Sequence, residues 1–215
     1  MTSKNEIARA LLKIKAVFLQ PDNPFIWASG IKSPIYCDNR LILSYPEQRN
    51  LIENAMAEQV KNFYPNAETL MGTSTAGIAH AALIAERLNL PMGYVRSSAK
   101  DHGRKNKIEG KISKNQKAVV IEDLISTGGS VLECVEGLRE AGAEVLGIIS
   151  IFTYGMKKGL EKLSAANVEN HSLCDFDTLI KVAVEEEYIK PADEAKLLKF
   201  RDNPSDESWL KGENI

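Results

Sequence analysis

Only three cysteines occur among the 215 residues, and Cys37, Cys134 and Cys174 are too widely spaced for a paired zinc motif or a disulfide scaffold. Reduced thiols are the expectation. Long apolar runs are also missing: residues 7–18 are apolar on one face, but Arg9, Lys13 and Lys15 interrupt them too often for a signal-peptide core or a membrane span. A cytoplasmic protein is therefore expected. Neither sign of charge is in surplus, since 27 basic residues nearly balance 29 acidic ones and the formal net charge is −2. That balance provides no global attraction for nucleic acid, so any affinity for phosphate has to be local. The familiar nucleotide loops are absent as well: there is no G-x-G-x-x-G, and the Gly110-Lys111 pair lacks the earlier glycine of a P-loop. A nucleoside triphosphate ligand is disfavoured. No internal repeat, low-complexity tract or interdomain linker stands out. What is present is ordinary for a soluble globular chain, 44% hydrophobic and 26% charged. The length suits one large domain with a substantial core.

Ser3 and Glu6 have capping-box spacing, and Ile7, Leu11, Ile14 and Phe18 then recur at helical intervals up to Pro21. Ser44 and Glu47 repeat the spacing around Pro46, and Leu51, Ile52, Ala55, Met56, Gln59, Val60 and Phe63 trace one mostly apolar face up to Pro65. Two helices are predicted there. Short apolar runs at 69–72, 92–96, 117–123 and 145–152 then alternate with helical segments at 76–88 and 129–141. Such alternation reads as β-α-β units around a mainly parallel sheet. Further helices are predicted at 157–164, 175–184 and 191–200, and the polar segment 202–215 is expected to pack loosely.

Val119, Val120 and Ile121 form an apolar run without alternation, as a central parallel strand covered on both faces requires. Ligands gather at the carboxyl ends of such strands. There the sequence reads V-V-I-E-D-L-I-S-T-G-G-S over residues 119–130. Two carboxylates end the strand, and a Ser/Thr/Gly turn opens the next helix. Gly128 and Gly129 let backbone N–H groups approach an anion closely, and the helix directs its positive end at the same point. Ser126, Thr127 and Ser130 add hydroxyl donors, whereas Glu122 and Asp123 are acceptors suited to sugar hydroxyls. A monophosphate site beside two carboxylates suits a phosphorylated sugar; the bland alternative is a solvated strand end followed by a plain turn. Residues 97–110 crowd Lys100, Asp101, His102, Arg104, Lys105, Lys107 and Glu109 between two strand candidates, and are expected to form a mobile loop.

The 119–130 segment resembles the motif for 5-phosphoribosyl 1-diphosphate (PRPP) in type I phosphoribosyltransferases, and its form E-D-L-I-S-T-G-G-S is closest to the orotate phosphoribosyltransferases. F-I-W-A-S-G-I-K-S-P-I-Y-C-D-N-R at 25–40, G-T-S-T-A-G-I-A at 72–79 and Y-V-R-S-S-A-K-D-H-G at 94–103 agree in order and separation. The resemblance implies an α/β fold with a mainly parallel central sheet, spanning 1–215 as one domain. Within it, a base-binding hood would occupy about 1–45 and a PRPP-binding core about 65–155. It implies transfer of ribose 5-phosphate from PRPP to orotate, giving orotidine 5′-monophosphate and pyrophosphate on the route to UMP. It further implies Mg²⁺ carried largely on PRPP, with no protein metal ligand named, and a homodimer with active sites shared between subunits.

By that resemblance Glu122, Asp123, Leu124, Ile125, Ser126, Thr127, Gly128, Gly129 and Ser130 bind the ribose and its 5-phosphate. Arg96, Lys100 and His102 meet the pyrophosphate, and Asp123, Lys100 and His102 carry catalysis. Backbone around Tyr36 and Cys37, together with Ser126, contacts orotate. Successive side chains on a regular strand point to opposite faces, so Glu122 and Asp123 can serve one sugar only if the strand is already breaking into loop. Trp27 and Ile35 read as core. The chain departs from the family pattern by lacking lysines at Ala28 and Ala76, a basic residue at Ser97, and an arginine after the strand ending near Ile151. Lys32 and Arg40 are the candidates to restore charge. A purine or xanthine phosphoribosyltransferase uses the same PRPP loop, but the hood segment argues against it. A PRPP-sensing regulator would need a basic recognition element that is missing here.

Overall fold

The computed structural model describes residues 2–27, 30–96 and 107–210. In chain order the elements are α1 (Lys4–Lys13), β1 (Val17–Leu19), β2 (Phe25–Ile26), β3 (Lys32–Ser33), β4 (Ile35–Cys37), a 3-10 turn (Asn39–Ser44), α2 (Pro46–Phe63), β5 (Thr69–Thr73), α3 (Ala76–Leu88), β6 (Met92–Val95) and β7 (Ile108–Glu109). There follow β8 (Lys117–Ile125), α4 (Gly129–Glu140), β9 (Glu144–Thr153), α5 (Lys157–Ala165), β10 (Asn170–Asp175), α6 (Phe176–Glu185), α7 (Pro191–Asp202) and a last 3-10 turn (Glu207–Leu210).

Six strands form one sheet in the order β10-β9-β8-β5-β6-β7, all parallel except the β6–β7 pair. The α/β architecture expected from the sequence is therefore present, with β8 at its centre. Val119 and Ile121 enter one core with residues of α1, α2, α3 and α6, while Ala118 and Val120 enter a second core with α4. All four are fully buried, which is why the run could not alternate.

Several local expectations need correction. The first helix stops at Lys13, and Phe18 lies in β1, because Lys15 adopts φ +55° and the Ala16 N–H donates to the Leu11 carbonyl at 2.9 Å. This is a left-handed helix end made by lysine, so the usual glycine signal is missing. At the second helix the N-cap is Tyr45, without a side-chain cap hydrogen bond, so Ser44 forms no capping box. Phe63 turns outward, 45% exposed, and stacks on His171 at 3.6 Å. The tail does not pack loosely throughout: Trp209 is 1% exposed and meets Phe200 edge-on at 5.6 Å. The edge strand β10 and the short strands before α2 escaped the pattern, being polar or only two to six residues long.

Candidate active site

The carboxyl ends of β5, β6 and β8 face one edge of the sheet, and two glycines bring them together. A β-carbon on Gly77 would lie 2.5 Å from the Ile121 carbonyl oxygen, and one on Gly72 would lie 2.8 Å from the Gly77 carbonyl oxygen. Both positions need a missing side chain for α3 to reach β5 and β8. Within this junction the Thr73 hydroxyl donates to Glu122 Oε1 at 2.7 Å, and the Asp123 N–H donates to the same oxygen at 2.9 Å. Glu122 is 4% exposed. Burial, reinforced by the neighbouring Asp123 carboxylate, raises its pKa to about 8, against the lowering effect of Thr73.

β8 does not break at the acid pair: its pairing with β9 continues through Leu124↔Phe152 and Ile125↔Thr153. The two carboxylates nevertheless stay within hydrogen-bonding reach of each other, and the Asp123 side chain adds to the rise in the Glu122 pKa. Glu122 acts electrostatically on Cys134 of α4, whereas Asp123 acts on Cys37 of the segment before α2. The pair therefore remains together at the strand end, Glu122 buried and Asp123 half-exposed.

Beyond β8 the chain turns at Gly128, whose φ of +73° is left-handed, and α4 begins at Gly129. A β-carbon at Gly128 would approach nothing closer than the Gly159 carbonyl oxygen at 3.8 Å, so conformation rather than space calls for glycine there. Around Gly129 there is open space, which leaves the first-turn N–H groups of α4 approachable. Thr127 and Ser130 are exposed and Ser126 is half-buried. Leu124 and Ile125 pack their side chains into the cores, and the Ile125 carbonyl accepts the Tyr154 N–H at 2.9 Å. Gly159 supports the turn from below, since a β-carbon on it would lie 2.5 Å from the Ser126 carbonyl oxygen.

The segment before α2 folds as two small antiparallel pairs, β1 with β4 and β2 with β3. Asn39, 1% exposed, ties it to the central strand: its Nδ2 donates to the Asp123 carbonyl at 2.7 Å and its Oδ1 accepts the Cys37 thiol at 3.3 Å. Burial, then the charges of Asp123 and Asp38, lift the Cys37 thiol well above its ordinary pKa. Cys37 is thus a poor nucleophile, and its backbone is the part suited to a ligand. Tyr36 is 42% exposed and lies 5.7 Å from the Phe25 ring. Ile35 is fully buried and Trp27 packs partly buried against the core. Lys32 pairs with Glu207 at 2.9 Å, and Arg40 pairs with Asp38 at 2.6 Å. Both candidates for restoring charge are engaged locally. A cleft of about 630 Å³ runs between Trp27 and Ile31 on one side and Thr127, Met156, Lys157 and Lys158 on the other.

Arg96 follows β6; its N–H donates to the Lys107 carbonyl at 2.9 Å and its guanidinium lies 3.3 Å from Glu109. A narrow cleft joins Arg96 to Ser74 and Ser130. Lys100 and His102, with Ser97, fall in 97–106, outside the described residues, as does Ala28. The structure thus brings Arg96, Asp123 and the 126–130 turn to one strand edge, with Tyr36 and Cys37 joined to it through Asn39. Sequence reasoning missed Asn39, Thr73 and Gly159. None has a periodic signal, although Asn39 and Thr73 lie inside the segments that carried the resemblance.

A phosphoribosyl transferase domain model matches residues 42–185. The orotate phosphoribosyltransferase of Bacillus cytotoxicus is 60% identical over 207 residues, covering 96% of this chain and 99% of its own. Among solved structures, the orotate phosphoribosyltransferase of Aeropyrum pernix is 27% identical with a TM-score of 0.74, over 85% of this chain and 99% of that one. The UMP synthase of Leishmania donovani gives a TM-score of 0.78 at 26% identity, over 93% of this chain and 42% of that one. Fold, strand-end geometry and near full-length similarity agree: the chain belongs to the phosphoribosyltransferases, in the orotate phosphoribosyltransferase family.

Proposed function

We propose that the chain transfers ribose 5-phosphate from PRPP to orotate, forming orotidine 5′-monophosphate and pyrophosphate in the cytoplasmic route to UMP. The observation that carries this reading is the junction of the glycine turn, Asp123 and the hood at one strand end, tied by Asn39. The 5-phosphate sits at the first turn of α4, where backbone N–H groups and the helix dipole meet it. The bond from ribose C1 to pyrophosphate breaks, a ring nitrogen of orotate bonds to C1, and its proton leaves. Positive charge builds on the ribose as the leaving group departs, as in glycoside hydrolysis. Asp123 is the carboxylate placed to stabilise it. Glu122, which accepts from Thr73 and stands beside Asp123, is read with it as a partner for the ribose hydroxyls.

Arg96, with Lys100 and His102, meets the pyrophosphate, and these cations accelerate transfer by binding it more strongly as its charge develops. The base lies under the hood against the backbone of Tyr36 and Cys37, near Ser126. Among the described residues no three His, Cys, Asp or Glu side chains cluster to hold a metal. The half-exposed Asp123 carboxylate is a hard oxygen donor, which fits Mg²⁺ borne mainly on diphosphate oxygens. Bound Mg²⁺ supplies charge neutralisation for the leaving group. No helix among the described residues is long and apolar enough to cross a membrane.

Two tests address this reading. Incubated with PRPP and Mg²⁺, the protein should consume orotate with release of pyrophosphate and leave adenine, hypoxanthine and xanthine untouched; inert orotate overturns it. The working unit is read as a homodimer in which Lys100 serves the partner's Asp123. Refolding Lys100→Ala and Asp123→Asn chains together should then restore roughly a quarter of native turnover, as random pairing of two equivalent sites requires. No recovery despite subunit exchange places Lys100 in its own subunit's site.

A further inference from the structure

The chain carries two tryptophans, and both meet the same phenylalanine. Phe200 of α7 is fully buried, its ring 5.7 Å from Trp27 beside the β2–β3 pair and 5.6 Å from Trp209 of the last 3-10 turn, edge-on to each. Trp209 is 1% exposed although it lies in a short turn within a polar stretch. Two ion pairs join the same parts of the chain: Lys196 of α7 lies 3.3 Å from Asp22, and Glu207 lies 2.9 Å from Lys32 of β3. The C-terminal elements thus grip the early segment at three points, Asp22, Trp27 and Lys32.

The hairpin they grip has little support of its own. β2 and β3 pair over only two positions, Phe25↔Ser33 and Ile26↔Lys32, and the Trp27 N–H donates to the Ile31 carbonyl at 2.9 Å. A hairpin so short is not stable by itself in water, so its place is set by what packs on it. Ile26 is 75% exposed, while Trp27 and Ile31 pack partly buried against the core. Arg201, Asp202, Asn203 and Pro204 also wall the cleft that Trp27 and Ile31 share with Thr127. The stretch whose sequence suggested loose packing therefore both holds the hairpin and borders its cleft.

Resting on the reading of this hairpin as part of the base-binding hood, we propose that Trp209 and Glu207 are positioning residues: through Phe200 and Lys32, the C-terminal turn latches the hood in the geometry that receives the base. Neither residue touches substrate. A hairpin held in place beforehand spares base binding the cost of ordering it, and that saving appears as affinity for the base. The glycine turn at the start of α4 is shaped by Gly128 and backed by Gly159, so PRPP binding does not depend on the latch.

Trp209→Ala opens the latch. The KM for orotate should rise at least about tenfold, a part of what truncating a buried tryptophan costs, whereas kcat and the KM for PRPP should hold. Trp209→Phe should bring the orotate KM back near the wild-type value, because the indole N–H has no partner among the described residues and a ring is all the contact requires. An unchanged orotate KM in Trp209→Ala, or equal rises for both substrates, overturns the proposal. Should Trp209→Ala fail to fold, the ion pair decides: Lys32→Glu should raise the orotate KM about threefold, the scale of an exposed pair, and adding Glu207→Lys should restore it. A Lys32 that acted on orotate directly would not be rescued in this way, and that result also overturns the latch. Amide exchange without ligand separates this inference from the functional reading: the Trp27 and Gly30 N–H groups should exchange faster in Glu207→Lys than in wild type, while the Tyr154 N–H holds. Wild-type protein inert toward orotate, with that faster exchange present, overturns the functional reading and leaves the latch standing; unchanged exchange overturns the latch.

Discussion

The turn at residues 125–130 and the segment at residues 17–44, within the proposed hood, converge on Asp123 by opposite routes. The turn takes its shape from neighbours in sequence: a strand end, a glycine at φ +73° and the start of α4. The hood depends on partners far along the chain, through Gln20 N–H to Pro34, Asp38 N–H to Ala16, and Asn39 to Asp123, 84 positions away. A locally determined site is robust to distant change and sensitive to single backbone alterations. One assembled from distant contacts is sensitive wherever those contacts are cut. In the proposed two-substrate reaction this would separate the PRPP half from the base half, with Asn39 as the tie.

The most severe break in the comparison is Asp123→Asn, which removes the charge at the junction but little volume. Turnover should fall on the order of 10²–10³-fold, the usual scale for a fixed electrostatic stabiliser, with the melt preserved. Near-normal kcat with an intact melt removes Asp123 from the mechanism. Next in size is Asn39→Ala, which leaves the buried Asp123 carbonyl unpaired at a cost of about 1–3 kcal/mol in denaturant unfolding. Calorimetry should then show PRPP and orotate both binding more weakly, because the tie serves both halves; loss confined to orotate would make Asn39 part of the hood alone.

Gly128→Ala sharpens the contrast from the other side. Its cost is conformational, about 1–2 kcal/mol for a β-carbon in the left-handed region. KM should rise for PRPP and hold for orotate. Equal loss for both would mean that the turn is not independent of the hood. A pH effect at Glu122 bears on stability and not on either substrate. Because burial raises its pKa to about 8, the folded protein keeps a proton that the unfolded chain releases near its ordinary value of 4.5. Stability is unaffected below that value and declines as pH rises toward 8. Glu122→Gln does not titrate, so its stability relative to wild type should improve by roughly 3–4 kcal/mol between pH 5 and pH 8, then level off. A constant difference across that range would place Glu122 in its charged form throughout.

The same contrast explains what could be read from the sequence. The central strand, the glycine turn and the helices at 76–88 and 129–141 announced themselves because local patterning sets them: unbroken apolar runs, turn glycines and helical periodicity. The match at α3 is complete, Ala76–Leu88. Phe18 was assigned to a helix because its spacing fits one, and only the lysine at φ +55° ends it earlier. Asn39 and Thr73 matter through hydrogen bonds to a strand 84 and 49 residues away, and no window of sequence contains both partners. The continuation of β8 to Ile125, past the acid pair, was not legible, because the sequence there carries no strand pattern.

The most direct measurement is a crystal structure of the protein with orotate, Mg²⁺ and PRPP. The 5-phosphate should lie against the N–H groups of residues 127–130, the ribose against Asp123, and the pyrimidine under the hood beside Tyr36, Cys37 and Ser126. A phosphate bound away from the start of α4, or a base bound outside the hood, would contradict the account.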